Sequence, residues 1–203
     1  MTFGIRTLFA AALTLVAMPV LAQSFAITNA SVIDGTGAAE RPGTTIVVRD
    51  GRIASLGTSA APGGMQVYDA GGRPVTPGLV AAWSQLGIVE VGAVRQTNET
   101  RASDSPYSAA LDIAPAVNPR SASMAIARLE GVTRAGAVPV ASSDLFGGQG
   151  AVVSTAFGAG VMRARAFQYI QFGEGGARIA GGSRAATAAR LADVFDEVAD
   201  YAR

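Results

Sequence analysis

"VTPGLVAAWSQLGIVEVG", residues 75–92, decides the reading of this chain. Pro77 and Gly78 mark a turn, and the aliphatic run after them ends in a polar tip at Trp83, Ser84 and Gln85. "GLVAAW" and, past the tip, "GIVEVGAV" are short apolar runs that suit strands buried on both faces. Upstream of the turn the texture differs. From Phe25 to Gly57 apolar and polar residues alternate, with Asp-Gly at 34–35 and again at 50–51. Glycine reaches positive φ at no steric cost, so each Asp-Gly signals a tight turn. Thr45–Arg49 and Arg52–Leu56 therefore read as a hairpin around Asp50-Gly51. Residues 25–76 as a whole read as short antiparallel strands, with a further turn at Ala61–Gly64.

Downstream, residues 95–118 are polar and aperiodic, which predicts a long loop. A helix is predicted next. Asn118 would cap it, Pro119 would open it, Met124, Ala125, Ala127 and Leu129 lie within it, and Gly131 stops it. "AGAVPVA" (135–141) and "GQGAVVSTA" (148–156) then read as strands, and strand, helix, strand in that order implies a βαβ unit and an α/β layer. Near the end, Ser183 can cap a helix whose Ala188, Leu191, Val194, Phe195, Val198 and Ala202 make one apolar stripe. Its Asp193, Asp196, Glu197 and Asp200 gather toward the negative end of the helix dipole, which is mildly unfavourable. A helix running to Arg203 without a stop signal is what a cut chain would show, and also what an ordinary terminal helix would show.

Composition excludes much chemistry. The 203 residues contain no His and no Cys, and all 16 basic residues are Arg. Without imidazole or thiol there is no Ser-His or Cys-His pair and no thiolate ligand. Without Lys, "FGGQGAV" (146–152) is not a phosphate-binding loop of the Lys-dependent kind, and Arg163 stands where a dinucleotide fingerprint in "FGAGVMRA" needs its third glycine. A net charge of +1, with both signs spread along the chain, forms no basic stripe for nucleic acid. Hydrophobic content of 49% with 25 glycines suits a folded domain with a core of small and aliphatic side chains. Residues 1–22 combine Arg6, a short apolar run broken by Pro19, and small residues at Val20 and Ala22. That pattern predicts a secretory leader cleaved after Ala22. The mature protein is then expected to be secreted or periplasmic and not held in a membrane.

"ITNASVIDGTG", "IVVRDGRIASLG" and "VTPGLV", in this order and spacing, resemble the amidohydrolase superfamily, especially its imidazolonepropionase-like and secreted peptidase-like members. The resemblance implies a composite fold: a β-sandwich contributed in part by residues 23–76, followed over 77–203 by the first half of a (β/α)8 barrel. It also implies hydrolysis of C–N bonds in amides, cyclic amides or dipeptides, with Zn or a similar divalent metal as cofactor. In that family a His-x-His pair follows the Pro-Gly-aliphatic turn; here Trp83 and Gln85 occupy the two positions. Indole only donates a hydrogen bond and a carboxamide oxygen is a poor zinc ligand, so no cofactor is expected in this chain and activity is not expected of it alone. A full barrel takes about 250 residues, and only about half that number follow residue 76. A truncated chain, self-association or a completing C-terminal segment is therefore expected, because open parallel edges need cover.

Trp83 and Gln85 are the candidate substrate-binding residues, at the barrel mouth where this fold places its sites. Packing of the indole is the plainer alternative. Glu90, Asp104, Asp112 and Asp144 could supply an acid–base pair or oxygen ligands, and Arg163 with Arg165 an anion clamp, though solvated surface charge is the plainer reading of each. Gly147-Gly148 and Gln149-Gly150 read as a tight connection or as close approach of a ligand to bare backbone. Three functions remain open: an inert amidohydrolase-family chain, a non-catalytic binding or assembly protein for an unknown small molecule or partner, and a hydrolase completed by a second chain.

Overall fold

The computed structural model describes residues 24–203. The leader predicted at residues 1–22 lies outside them. The chain divides into two compact units, one ending at Pro77 and one spanning Gly78–Arg203.

The first unit is one mixed sheet of five strands: β1 (Phe25–Val32), β2 (Arg41–Arg49), β3 (Arg52–Gly57), β4 (Gln66–Asp69) and β5 (Pro74–Val75). Asp50 (φ 51°) and Gly51 (φ 72°) both take the left-handed conformation, which gives the tight β2–β3 hairpin the Asp-Gly pair predicts. The β1–β2 connection is fixed by Asp34, which accepts hydrogen bonds from the Thr36 hydroxyl (2.6 Å) and backbone N–H (3.0 Å). The expectation of an all-antiparallel run is corrected at β4 and β5, which both pair parallel with β1. Residues 58–65 carry the chain back across β2 and β1 before β4 begins, so β4 runs in the direction of β1. Ala30, Val32, Ile46 and Ala70 form the core of this unit. A single sheet with one apolar cluster is compatible with one layer of a β-sandwich.

In the second unit, β6 (Leu79–Ser84) and β7 (Val132–Ala137) pair in parallel, with α1 (Ala122–Leu129) in the connection between them. This is the predicted βαβ unit. α1 starts later than the sequence suggests, with Ser121 at its N-cap. Asn118 instead accepts the Arg120 N–H (3.0 Å), an Asx turn that diverts the backbone before the helix begins. Gly131, at φ 85°, ends the helix as expected.

Beyond β7 the topology departs from a half-barrel. β8 (Phe146–Ser154) and β9 (Gly160–Ile170) run antiparallel to their neighbours, in the sheet order β6-β7-β8-β9. The connections at 138–145 and 155–159 are too short for a parallel crossover, which takes about a dozen residues or more. Two more expectations are corrected here. β6 is an edge strand, so Leu79 and Val80 are 57% and 63% exposed instead of buried on both faces. "GIVEVGAV" is no strand, because Gly87 at φ 80° turns the chain and Ile88 N–H donates back to the Gln85 carbonyl at 3.1 Å.

The core under α1 joins Ile88, Ile113, Met124, Ala135, Ala137, Ala151 and Val153. α2 (Gly173–Ile179) and α3 (Arg184–Tyr201) close the unit, and the predicted cap is present, since Ser183 Oγ accepts the Ala186 N–H at 3.0 Å. The α3 stripe is not a packed face, however: Leu191 and Val194 are half-buried while Phe195 and Val198 stay exposed. No helix among the described residues is long and apolar enough to cross a membrane.

Candidate functional site

Trp83 sits near the C-terminal end of β6, and a bulge decides where it points. Ala81 pairs with Ala135 and Ser84 with Ala137, so Ala82 and Trp83 together oppose Gly136. A bulge of this kind re-aims a side chain. Gly136 makes it possible, because a Cβ there would lie 2.4 Å from the Ala82 carbonyl oxygen. The indole meets Tyr169 of β9 edge to face, with ring centroids 5.2 Å apart and planes at 81°, a favourable aromatic geometry.

Rings from the strands at either edge of the sheet can approach because the inner strands carry glycines. A Cβ on Gly150 would fall 2.1 Å from the Phe167 ring, and one on Gly147 2.7 Å from that of Tyr169. Phe167 and Tyr169 thus lie over a glycine floor, with Val138, Ala141 and Ile179 beside them. Trp83 remains 67% exposed, whereas Tyr169 is buried. Ser84 Oγ is committed to the Gly136 carbonyl at 3.0 Å. Gln85, just past the strand, is exposed.

The Tyr169 hydroxyl donates to Gln171 Oε1 at 2.5 Å, and burial raises its pKa above the ordinary value of 10.0. A raised folded-state pKa stabilises the fold below the unfolded value, near 10, and that contribution is lost as pH rises through the folded value. Melting temperatures followed through the alkaline range should therefore fall more steeply for the native protein than for Tyr169→Phe. Parallel curves would show that this phenol does not couple to folding.

Metal chemistry does not fit this site. At the two positions where the resemblance implies imidazoles stand an indole packed on a tyrosine and an exposed carboxamide, with a committed serine hydroxyl between them. Among the described residues, no group of three carboxylate, imidazole or thiolate side chains converges anywhere. The candidate acids are dispersed among separate duties. Glu90 accepts from Asn118 Nδ2 (2.8 Å), Asp144 from the Phe146 N–H (3.1 Å), and Asp112 from both the Ala114 N–H (3.0 Å) and Arg165 Nε (3.3 Å). Asp104 stands in the loop after β6. Arg163 and Arg165 form no clamp, because Arg165 is engaged by Asp112. At Gly148 (φ 116°) the approach to bare backbone is filled by the Leu111 carbonyl, 2.8 Å from a built Cβ, so the glycine pair serves a connection within the chain.

This chain is similar to a solved amidohydrolase from Thermotoga maritima MSB8, with a TM-score of 0.72, 24% identity, and coverage of 87% of this chain and 48% of that one. The fold is amidohydrolase-like. The chain spans about half the length of that neighbour. A molinate hydrolase structure overlaps over 34% of this chain and 15% of its own, at 29% identity and a TM-score of 0.31, too partial a match to bear on the fold. No family model and no curated protein matches the chain.

Tyr169, the aromatic partner of Trp83, escaped the sequence reading, although "AFQYI" (166–170) spaces it and Phe167 at the strand period of two. What concealed them was the glycine floor. It becomes meaningful only once β6 to β9 are known to be neighbours.

Proposed function

We propose that this protein is an exported, imidazolonepropionase-like member of the amidohydrolase superfamily whose first-strand metal site has been replaced by an aromatic contact, and that this chain alone does not hydrolyse amides. The observation that carries the reading is the Trp83–Tyr169 contact at the end of β6. On this reading an indole held against Tyr169 and an exposed carboxamide stand where the family's chemistry starts from two imidazoles. The β6–α1–β7 unit corresponds on this reading to the start of the family's barrel, and the exposed β6 edge is where a completing segment or second chain would add. Export rests on the leader-like residues 1–22.

A second reading, a non-catalytic protein binding a small molecule at Trp83 and Gln85, is favoured by the exposure of the indole itself. Exposed aromatic faces stack on planar or sugar ligands. Incubating the purified chain with small amides and dipeptides, with and without added divalent metal, separates these readings from an enzyme. No cleavage is expected in either condition. Metal-dependent turnover by this chain alone would overturn the proposal.

A further inference from the structure

We infer that the loop connecting β6 to α1 is a binding site for a small anion, with a carboxylate or phosphate group held between Arg95 and Arg101. The inference goes beyond the reading of Trp83 and rests on different residues. Three observations carry it.

The first is place. The loop follows the C-terminal end of β6, beside the C-terminal end of the parallel strand β7. Open α/β sheets place their ligands outside the carboxyl ends of parallel strands.

The second is order in the backbone. Although long and polar, the loop is pinned by hydrogen bonds at both ends of its functional part. Glu90 N–H donates to the Thr97 carbonyl (3.1 Å), Glu99 N–H to the Ile88 carbonyl (2.9 Å), and Val140 N–H, just past β7, to the Thr100 carbonyl (2.7 Å). Asn98 Oδ1 accepts both the backbone N–H (3.1 Å) and hydroxyl (2.6 Å) of Thr100, which is only 2% exposed. Arg95 and Arg101 therefore project from a fixed backbone, so less freedom remains to be lost on binding.

The third is charge. The two arginines border a cavity of about 500 Å³, within the size range of small-molecule sites, together with Asn98, Ser103, Asp104 and Ser105. Among the described residues neither guanidinium lies in an ion pair; the pairs present involve Arg41, Arg165, Arg190 and Arg203. With Asn98 Oδ1 occupied by Thr100, its amide nitrogen is left as a further donor. Planar guanidinium forks match carboxylate and phosphate oxygens two at a time. Asp104 is the one acidic residue on the wall, and it opposes an anion.

Calorimetric titration of the full chain with inorganic phosphate and, separately, with succinate tests the site and distinguishes the two head groups. Saturable binding of at least one probe is expected. Arg95→Ala and Arg101→Ala should each weaken it by about tenfold or more, the usual scale for a lost charge-assisted hydrogen bond. Asp104→Ala should tighten it, whereas Arg163→Ala, on β9, should leave it unchanged. All four side chains are exposed, and matched unfolding midpoints show that each variant is folded. No saturable binding of either probe, or equal weakening by Arg163→Ala, would overturn the inference.

Discussion

Met124→Ala is expected to cost about 3 kcal/mol of stability, within the usual span for deleting a buried Met side chain. The Met124 side chain is 1% exposed, and a Cβ on Gly87 would fall 2.4 Å from its terminal methyl. It is therefore the bolt between α1 and the loop leaving β6. Three of its core neighbours, Ala135, Ala137 and Ala151, are too short to move into the space, so part of the cavity would persist and its cost would add to the lost transfer energy. The urea midpoint of unfolding measures the effect. A change below about 1 kcal/mol would mean that α1 is not docked on this core.

Gly136→Ala is expected to destabilise by about 2 kcal/mol and to change the environment of Trp83. Two opposing effects decide the sign. Replacing glycine by alanine restricts the unfolded chain and stabilises by about 0.4–1 kcal/mol where the native backbone tolerates it. Here it does not, because the new Cβ would lie 2.4 Å from the Ala82 carbonyl oxygen, a backbone atom with no rotamer to give. Overpacking costs of about 1–3 kcal/mol then dominate. Relief would come from moving β6 away at the bulge, which separates the indole from Tyr169. Trp83 is the one tryptophan of the chain, so its emission reports this directly. A native spectrum with an unchanged urea midpoint would show that the bulge does not depend on the glycine.

Local chemistry made part of this architecture legible in the sequence. Asp50-Gly51 specifies its hairpin because both residues must take positive φ, Gly131 ends α1 by the same backbone argument, and Ser183 starts α3 through its side-chain cap. The order of apolar runs around α1 gave the βαβ unit. Illegible were features set by partners distant in the chain. The parallel pairing of β4 depends on a crossover over two strands, and the exposure of β6 on its standing at a sheet edge. The antiparallel turn of β8 and β9 was in principle readable from connection lengths alone, but the resemblance to a parallel barrel pointed the other way. At the site, residue types alone put an indole at Trp83 and a carboxamide at Gln85, where the resemblance implies imidazoles. The ring that Trp83 meets lies 86 positions further on, at Tyr169.

Zinc retention tests the central claim most directly. The purified full chain would be equilibrated with excess zinc, exchanged into zinc-free buffer without chelator, and its bound metal counted. An indole held edge to face against a phenol, with a carboxamide beside it, predicts a residue of zinc far below one ion per chain. Stoichiometric zinc that survives the exchange and leaves only with a chelator, and is lost in Trp83→Phe or Gln85→Ala, would contradict the account.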